Sequence, residues 1–150
     1  MSERSPEPTA VVAAIRDENL EDLRKVLEGS PLARALGITY ELLEPGRAAA
    51  AMPAGDLLPN FLGYVHTGAL FTLAEQAMAA AANSLGYVGL PLNCEVHFLK
   101  GADPGAGVTA RAHVVDTQGR IARIAVEVVQ GDVEVLRLTE MVFLRSAGQP

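Results

Sequence analysis

Apolar and polar positions follow a helical rhythm in the first half of this chain and an alternating one after Pro91. Between Thr9 and Glu28, Val11, Val12, Ile15, Leu20, Leu23, Val26 and Leu27 recur at helical spacings among charges. That spacing predicts one surface helix with a single packed face, stopped by Gly29-Ser30-Pro31. A short turn or helix follows over Leu32 to Leu36. Ile38 to Met52 reads as a first strand interrupted near Pro45-Gly46, its alternation blurred by the alanines at 48–51. Pro53 to Val65 has no period, and Pro59-Asn60 and Gly63 mark it as loop. The run Thr67 to Leu85 is apolar almost all round and predicts a buried helix that exits at Gly86 and Gly89.

Past Pro91, Leu92, Cys94, Val96 and Phe98 face one way, and Asn93, Glu95, His97 and Leu99 the other. After a turn at Gly101 to Gly105, Val108, Ala110, Ala112 and Val114 oppose Thr109, Arg111 and His113. Asp116 to Gly119 suits a hairpin, and Ile121 to Gln130 and Val133 to Leu144 are two further strands joined at Gly131-Asp132. A five-stranded antiparallel sheet curled around the alanine-rich helix accounts for this order. Small side chains let the sheet come close, while edge strands and surplus apolar surface favour pairing with a second copy. The segments are a flexible N-terminus at 1–8, an amphipathic helix at 9–29, the main domain at 30–145 and a tail at 146–150.

With 150 residues, 49% of them hydrophobic and 20% charged, the chain fits one globular domain. A net charge of -6 argues against a general nucleic-acid or anionic-membrane binder, while leaving a local basic pocket open. Cys94 is alone, so neither an intrachain disulfide nor a multi-cysteine metal site is expected. The N-terminus lacks a charged stretch followed by an apolar one, and the alanine-rich run carries Glu75 and Gln76. A secretory signal and a membrane span are therefore not expected, and the cytoplasm is the expected location. Three histidines and one cysteine show no metal spacing, Gly101 to Gly107 lacks the lysine of a phosphate loop, and no Gly-x-Ser-x-Gly elbow occurs. Arg111, Arg120, Arg123, Arg137 and Arg145 lie in the sheet half, where they solvate a surface or meet phosphates.

Glu75 is the only charge between Gly68 and Leu85. A carboxylate in such a setting needs hydrogen bonds, a partner from elsewhere or a function. Asn60-x-x-Gly63-x-x-His66-Thr67-Gly68-Ala-Leu-Phe-Thr-Leu-Ala-Glu75 resembles the signature of hotdog-fold acyl-CoA thioesterases of the phenylacetate-pathway type. There an asparagine and a glycine precede His-Gly-Gly, and an acidic residue follows nine positions after the histidine. Thr67 stands in place of the first glycine, and a glutamate at 75 resembles the hydroxybenzoyl-CoA thioesterase branch. The resemblance implies an α+β hotdog fold, dimers with active sites at the interface, and two such dimers in a tetramer. It implies hydrolysis of a small or medium acyl-CoA, aromatic ones included, with coenzyme A entering only as part of the substrate.

Thioester hydrolysis needs a nucleophile, a place for developing negative charge and an acyl pocket. Glu75, raised in pKa by apolar surroundings, suits proton abstraction from water, or direct attack giving a mixed anhydride. Gly68, at the first helical turn, offers an N–H unpaired within the helix and no Cβ to block a thioester oxygen. His66 orients the loop or polarises the carbonyl; Asn60 holds the loop or hydrogen-bonds water or thioester; Thr67 caps the helix or, standing where the family has glycine, narrows the pocket around the carbonyl and alters rate or acyl choice. Phe71, Thr72, Met78 and Ala79 fall on the Glu75 side of a helical projection as candidate pocket wall, although Phe71 and Met78 suit a core equally. Asn83 meets a partner subunit or ends the helix. Hydration or dehydration of an acyl thioester is a second chemistry for this scaffold. A non-catalytic acyl or small-ligand binding protein with a structural Glu75 is the alternative outside enzymology.

Overall fold

Asn19 splits the N-terminal amphipathic stretch into two helices rather than the single one expected. In the computed structural model, which describes residues 9–148, α1 spans Thr9–Arg16 and α2 Leu20–Glu28. Glu18 takes a left-handed φ of 51°, and the Asn19 side chain accepts the Asp22 N–H at 3.0 Å to begin a new helix. Apolar spacing continues across the break, which is why periodicity alone conceals it. Ala14, Ile15 and Leu23 form a small cluster joining the two helices. Helix α3, Pro31–Leu36, has proline in its first turn and ends on Gly37 with φ 68°. The N-terminal segment expected to be flexible, 1–8, lies outside the described residues.

The sheet has six strands, where five were expected. Pro45-Gly46 does not merely interrupt a strand: it is the turn between β1, Thr39–Glu44, and β2, Arg47–Met52. Gly46 takes φ 76°, which glycine adopts freely, and Pro45 donates no ladder hydrogen bond. Strands β3 (Tyr87–Phe98), β4 (Val108–Gln118), β5 (Ile121–Gln130) and β6 (Val133–Ser146) complete an antiparallel sheet ordered β1-β2-β4-β5-β6-β3. β3 starts before Pro91. The proline sits beside a bulge on this edge strand, where a missing N–H is tolerated.

Helix α4, Thr67–Asn83, lies against the concave face and buries Leu70, Leu73, Ala74, Ala77, Met78, Ala80, Ala81 and Ala82. It meets a sheet face that is also rich in alanine: Ala48, Ala50, Ala110, Ala112 and Ala122. Alanine on alanine leaves no space for a larger side chain. Gly89 takes this furthest, since a Cβ there would stand 2.7 Å from the Ala82 Cβ and 3.1 Å from Val142. Ala81→Leu is therefore expected to overpack the contact and cost about 1–3 kcal/mol, read as a lower denaturation midpoint.

β3 occupies one edge of the sheet and carries Leu92 and Phe98 at 56% and 58% exposure; Leu90, and Leu99 just past the strand, are also uncovered. An apolar row on an open edge is a pairing surface.

Candidate active site

The start of α4 is built by the loop before it. Asn60 Oδ1 accepts the N–H groups of Leu62 at 2.9 Å and Tyr64 at 3.1 Å, and the Asn60 N–H donates to the Tyr64 carbonyl at 2.7 Å. His66 N–H donates to the Leu58 carbonyl at 2.6 Å, and Val65 N–H to the Ala102 carbonyl at 2.9 Å. Asn60 thus shapes the loop with its oxygen and leaves its amide N–H groups for other work. The loop projects Phe61, 95% exposed, beside exposed Leu57, Leu62 and Tyr64.

His66 is the N-cap of α4. Its Nδ1 accepts the Gly68 N–H at 2.9 Å, which corrects two expectations. Thr67 is not the cap, and the Gly68 N–H is not open to a substrate oxygen. The bond needs a lone pair on Nδ1, so the neutral ring carries its proton on Nε2, where the exposed imidazole presents it outward. Among the described residues the Thr67 N–H has no acceptor, so the donors left at this end are that N–H and His66 Nε2. Both lie where the helix dipole favours negative charge.

Glu75 lies mid-helix and half-buried, on the partly open stripe formed by Gly68, Phe71, Thr72, Ala79 and Asn83. At 1.5 Å per residue it stands about 10 Å along the axis from Gly68. Glu75 and the start of its own helix are thus separated by about two helical turns.

What the carboxyl of Glu75 does face is the carboxyl of Glu140 on β6, close enough for one to donate to the other when the pair holds a proton. Glu140 is only 3% exposed, and its Oε2 has no donor aimed at it when both carboxyls are ionised. A proton shared by the pair removes that deficit. Burial raises Glu75 above the usual carboxylate range, opposed by the hydrogen bond from Glu140. Burial, then the charge and hydrogen bond of Glu75, push Glu140 up to about 8. Cys94 stands opposite Glu140 in the β3–β6 ladder; burial first, then Glu140 and Glu75, raise its thiol. The sequence reading missed Glu140. Its signal was the inward row of β6, Leu136, Leu138, Glu140, Val142, Leu144, in which one acid interrupts four aliphatics.

The remaining pocket candidates divide. Thr72 Oγ1 donates back to the Gly68 carbonyl at 2.8 Å, and Ala79 lies on the open stripe a turn beyond Glu75. Phe71 is partly buried against the core. Met78, at 1% exposure, belongs to the core and not to a substrate wall. Asn83 is committed at both ends of its amide, donating to the Ala79 carbonyl at 2.7 Å and accepting the Gly89 N–H at 2.9 Å. It closes the helix and ties it to β3. An open groove of about 850 Å³ lies on the outer face of the sheet, lined by Arg47, Arg111, His113, Glu127 and Arg137, away from Glu75. Arg111 pairs with Glu127 at 3.5 Å and Arg137 with Glu134 at 2.7 Å, so its charge is partly spent within the protein. Among the described residues no group of histidine, cysteine and acidic side chains is placed to hold a metal ion, and no helix is long and apolar enough to cross a membrane.

A long helix wrapped by one antiparallel sheet defines a hotdog-fold protein, and it carries a carboxyl pair, Glu75 on the helix and Glu140 on β6. Comparison with known proteins agrees. The thioesterase superfamily pattern matches residues 62–136. The acyl-coenzyme A thioesterase PaaI of Escherichia coli K12 is 32% identical over 94 residues, covering 63% of this chain and 67% of the relative. Among solved structures, a mutant of the phenylacetic acid degradation protein PaaI from Thermus thermophilus is 34% identical with a TM-score of 0.73, covering 77% of this chain and 99% of that one. The E. coli PaaI protein of the phenylacetic acid degradation operon superposes with a TM-score of 0.79 at 25% identity, covering 87% and 95%. The chain belongs to the thioesterase superfamily.

Proposed function

We propose that this chain hydrolyses acyl-CoA thioesters, with Glu75 as the acting carboxylate and with each site completed by a second copy. The observation that carries the reading is a half-buried carboxylate on the open stripe of α4, raised by burial above the usual carboxylate range and so a better proton acceptor. Glu75 removes a proton from water as the water adds to the carbonyl carbon. The C–S bond then breaks, and the proton passes to the departing CoA thiolate. In the alternative route the carboxylate itself adds, CoA leaves, and water hydrolyses the mixed anhydride. Negative charge on the carbonyl oxygen is met by the Thr67 N–H and His66 Nε2 at the start of a helix.

The helix start belongs to the other subunit. The separation of about 10 Å along one helix supports this division, as do the uncovered apolar residues of β3 and of the loop at Phe61. Pairing through β3 would lay Cys94 and the carboxyl pair against the neighbour's surface. We expect two such dimers in a tetramer, and a cytoplasmic location in keeping with a lone free cysteine. The relatives that act in phenylacetic acid degradation make arylacetyl-CoA the first substrate to try. The substrate wall that remains after Met78 and Asn83 are withdrawn, Thr72 and Ala79 beside Glu75, is small and suits a small or medium acyl group.

The test is a panel of aromatic, short-chain and medium-chain acyl-CoA substrates with release of free CoA thiol as the readout. Turnover that singles out one acyl class supports the proposal. Binding of acyl-CoA with no thiol release from any member would make the protein an acyl-binding module.

A further inference from the structure

Glu140 has no part in the scheme above, yet it is the more deeply buried member of the pair. An isolated buried carboxylate is costly, and among the described residues the group that acts on it is another acid, Glu75. The groups facing it are Glu75 from α4 and the Cys94 thiol from β3; the residue opposite on β5 is Ile124. A neighbour that only packed would be an aliphatic, as Leu138 and Val142 are on either side in the same row.

We propose that Glu140 is a positioning residue: as the neutral acid it donates a hydrogen bond to one oxygen of Glu75 and leaves the other aimed at the substrate. The inference rests on the reading of Glu75 as the acting carboxylate. Two carboxyls side by side do not readily ionise together, so a single proton serves both near neutrality. Deep burial places it on Glu140, whose titration lies near 8, while Glu75, half open to solvent, carries the charge. The acceptor of the reaction's proton is thereby held in one rotamer without a permanent positive charge beside it, which would weaken it as a base. Above the second titration the donor is lost and two charges repel, so the carboxylate loses its fixed aim.

Three variants test this. Glu140→Leu is expected to lower kcat by about 10- to 100-fold with little change in KM, the value of a hydrogen bond to a charged group. Glu140→Gln keeps an N–H donor and is expected to restore most of the rate. In kcat/KM the wild type should show an alkaline limb near 8 that vanishes in Glu140→Gln and persists in Cys94→Ser. A readout without substrate accompanies these. A carboxyl with a raised folded pKa holds more protons folded than unfolded, so stability falls as pH rises from the unfolded value towards the folded one. Between pH about 5 and about 8 the wild type should therefore lose stability relative to Glu140→Gln. A Glu140→Leu variant that folds and turns over like the wild type, or an alkaline limb that survives in Glu140→Gln, would overturn the proposal. If no acyl-CoA is hydrolysed at all, the functional reading fails by itself, and the stability comparison still decides whether the pair shares a proton: parallel pH slopes would reject it.

Discussion

Replacing Glu75 with glutamine is expected to reduce kcat on the preferred acyl-CoA by about 10²- to 10⁴-fold, the span over which a positioned acid or base contributes. The change is nearly isosteric, so it removes the charge and the basicity while the side chain still reaches Glu140. The protein should fold and associate as before. It should also become more stable at neutral pH, because Glu140 no longer faces a charge in a poorly solvated place. A falling rate with a rising melting temperature is the signature to look for: a structural glutamate would lower both. In the wild type, log kcat/KM should fall on acidification as Glu75 takes up its proton. Burial raises its pKa, so that limb should lie above the ordinary carboxylate range. A flat profile through that titration would remove Glu75 from the chemistry.

The parts of this protein that were legible as sequence are those in which one residue breaks a pattern visible over a short window. Glu75 stands alone in an alanine-rich run, and the alternation after Pro91 marks strands whose facing holds for Cys94, Val96 and Phe98 opposite Glu140, Leu138 and Leu136. The β1–β2 hairpin was harder. Ala48, Ala49 and Ala50 are so short that both faces of the strand look alike, and only the left-handed Gly46 separates turn from interruption. Asn19 was hidden by apolar spacing that runs on across the break between α1 and α2. His66 as cap was missed for a different reason. Its imidazole fills the role usual for serine, threonine or aspartate, so the neighbouring Thr67 drew the expectation. Glu140 required pairing information: its meaning comes from α4 lying beneath β6, a contact between residues 65 positions apart.

Mixing two disabled chains should restore activity that neither has alone, and this follows from helix geometry. Glu75 and the start of its own α4 are about 10 Å apart along the axis, while the reacting carbon needs a carboxylate or its water on one side and oxyanion donors on the other within hydrogen-bond reach. Glu75→Gln removes the first from every site. His66→Ala removes the cap that orders the helix start and the Nε2–H donor, for a loss of about 10²-fold or more. In a heterodimer one site then combines both lesions and the other combines neither. Random assortment into two-fold dimers makes about half of them hetero, so recovered turnover should approach about a quarter of the wild type. Two sites built each within one subunit would give no rescue, because every site would retain one lesion whatever its neighbour. Co-expression with two affinity tags isolates the heterodimer, in which turnover should double relative to the mixture. Heterodimers as inactive as their parents would return both functions to a single chain, and with them the question of how one helix spans that gap.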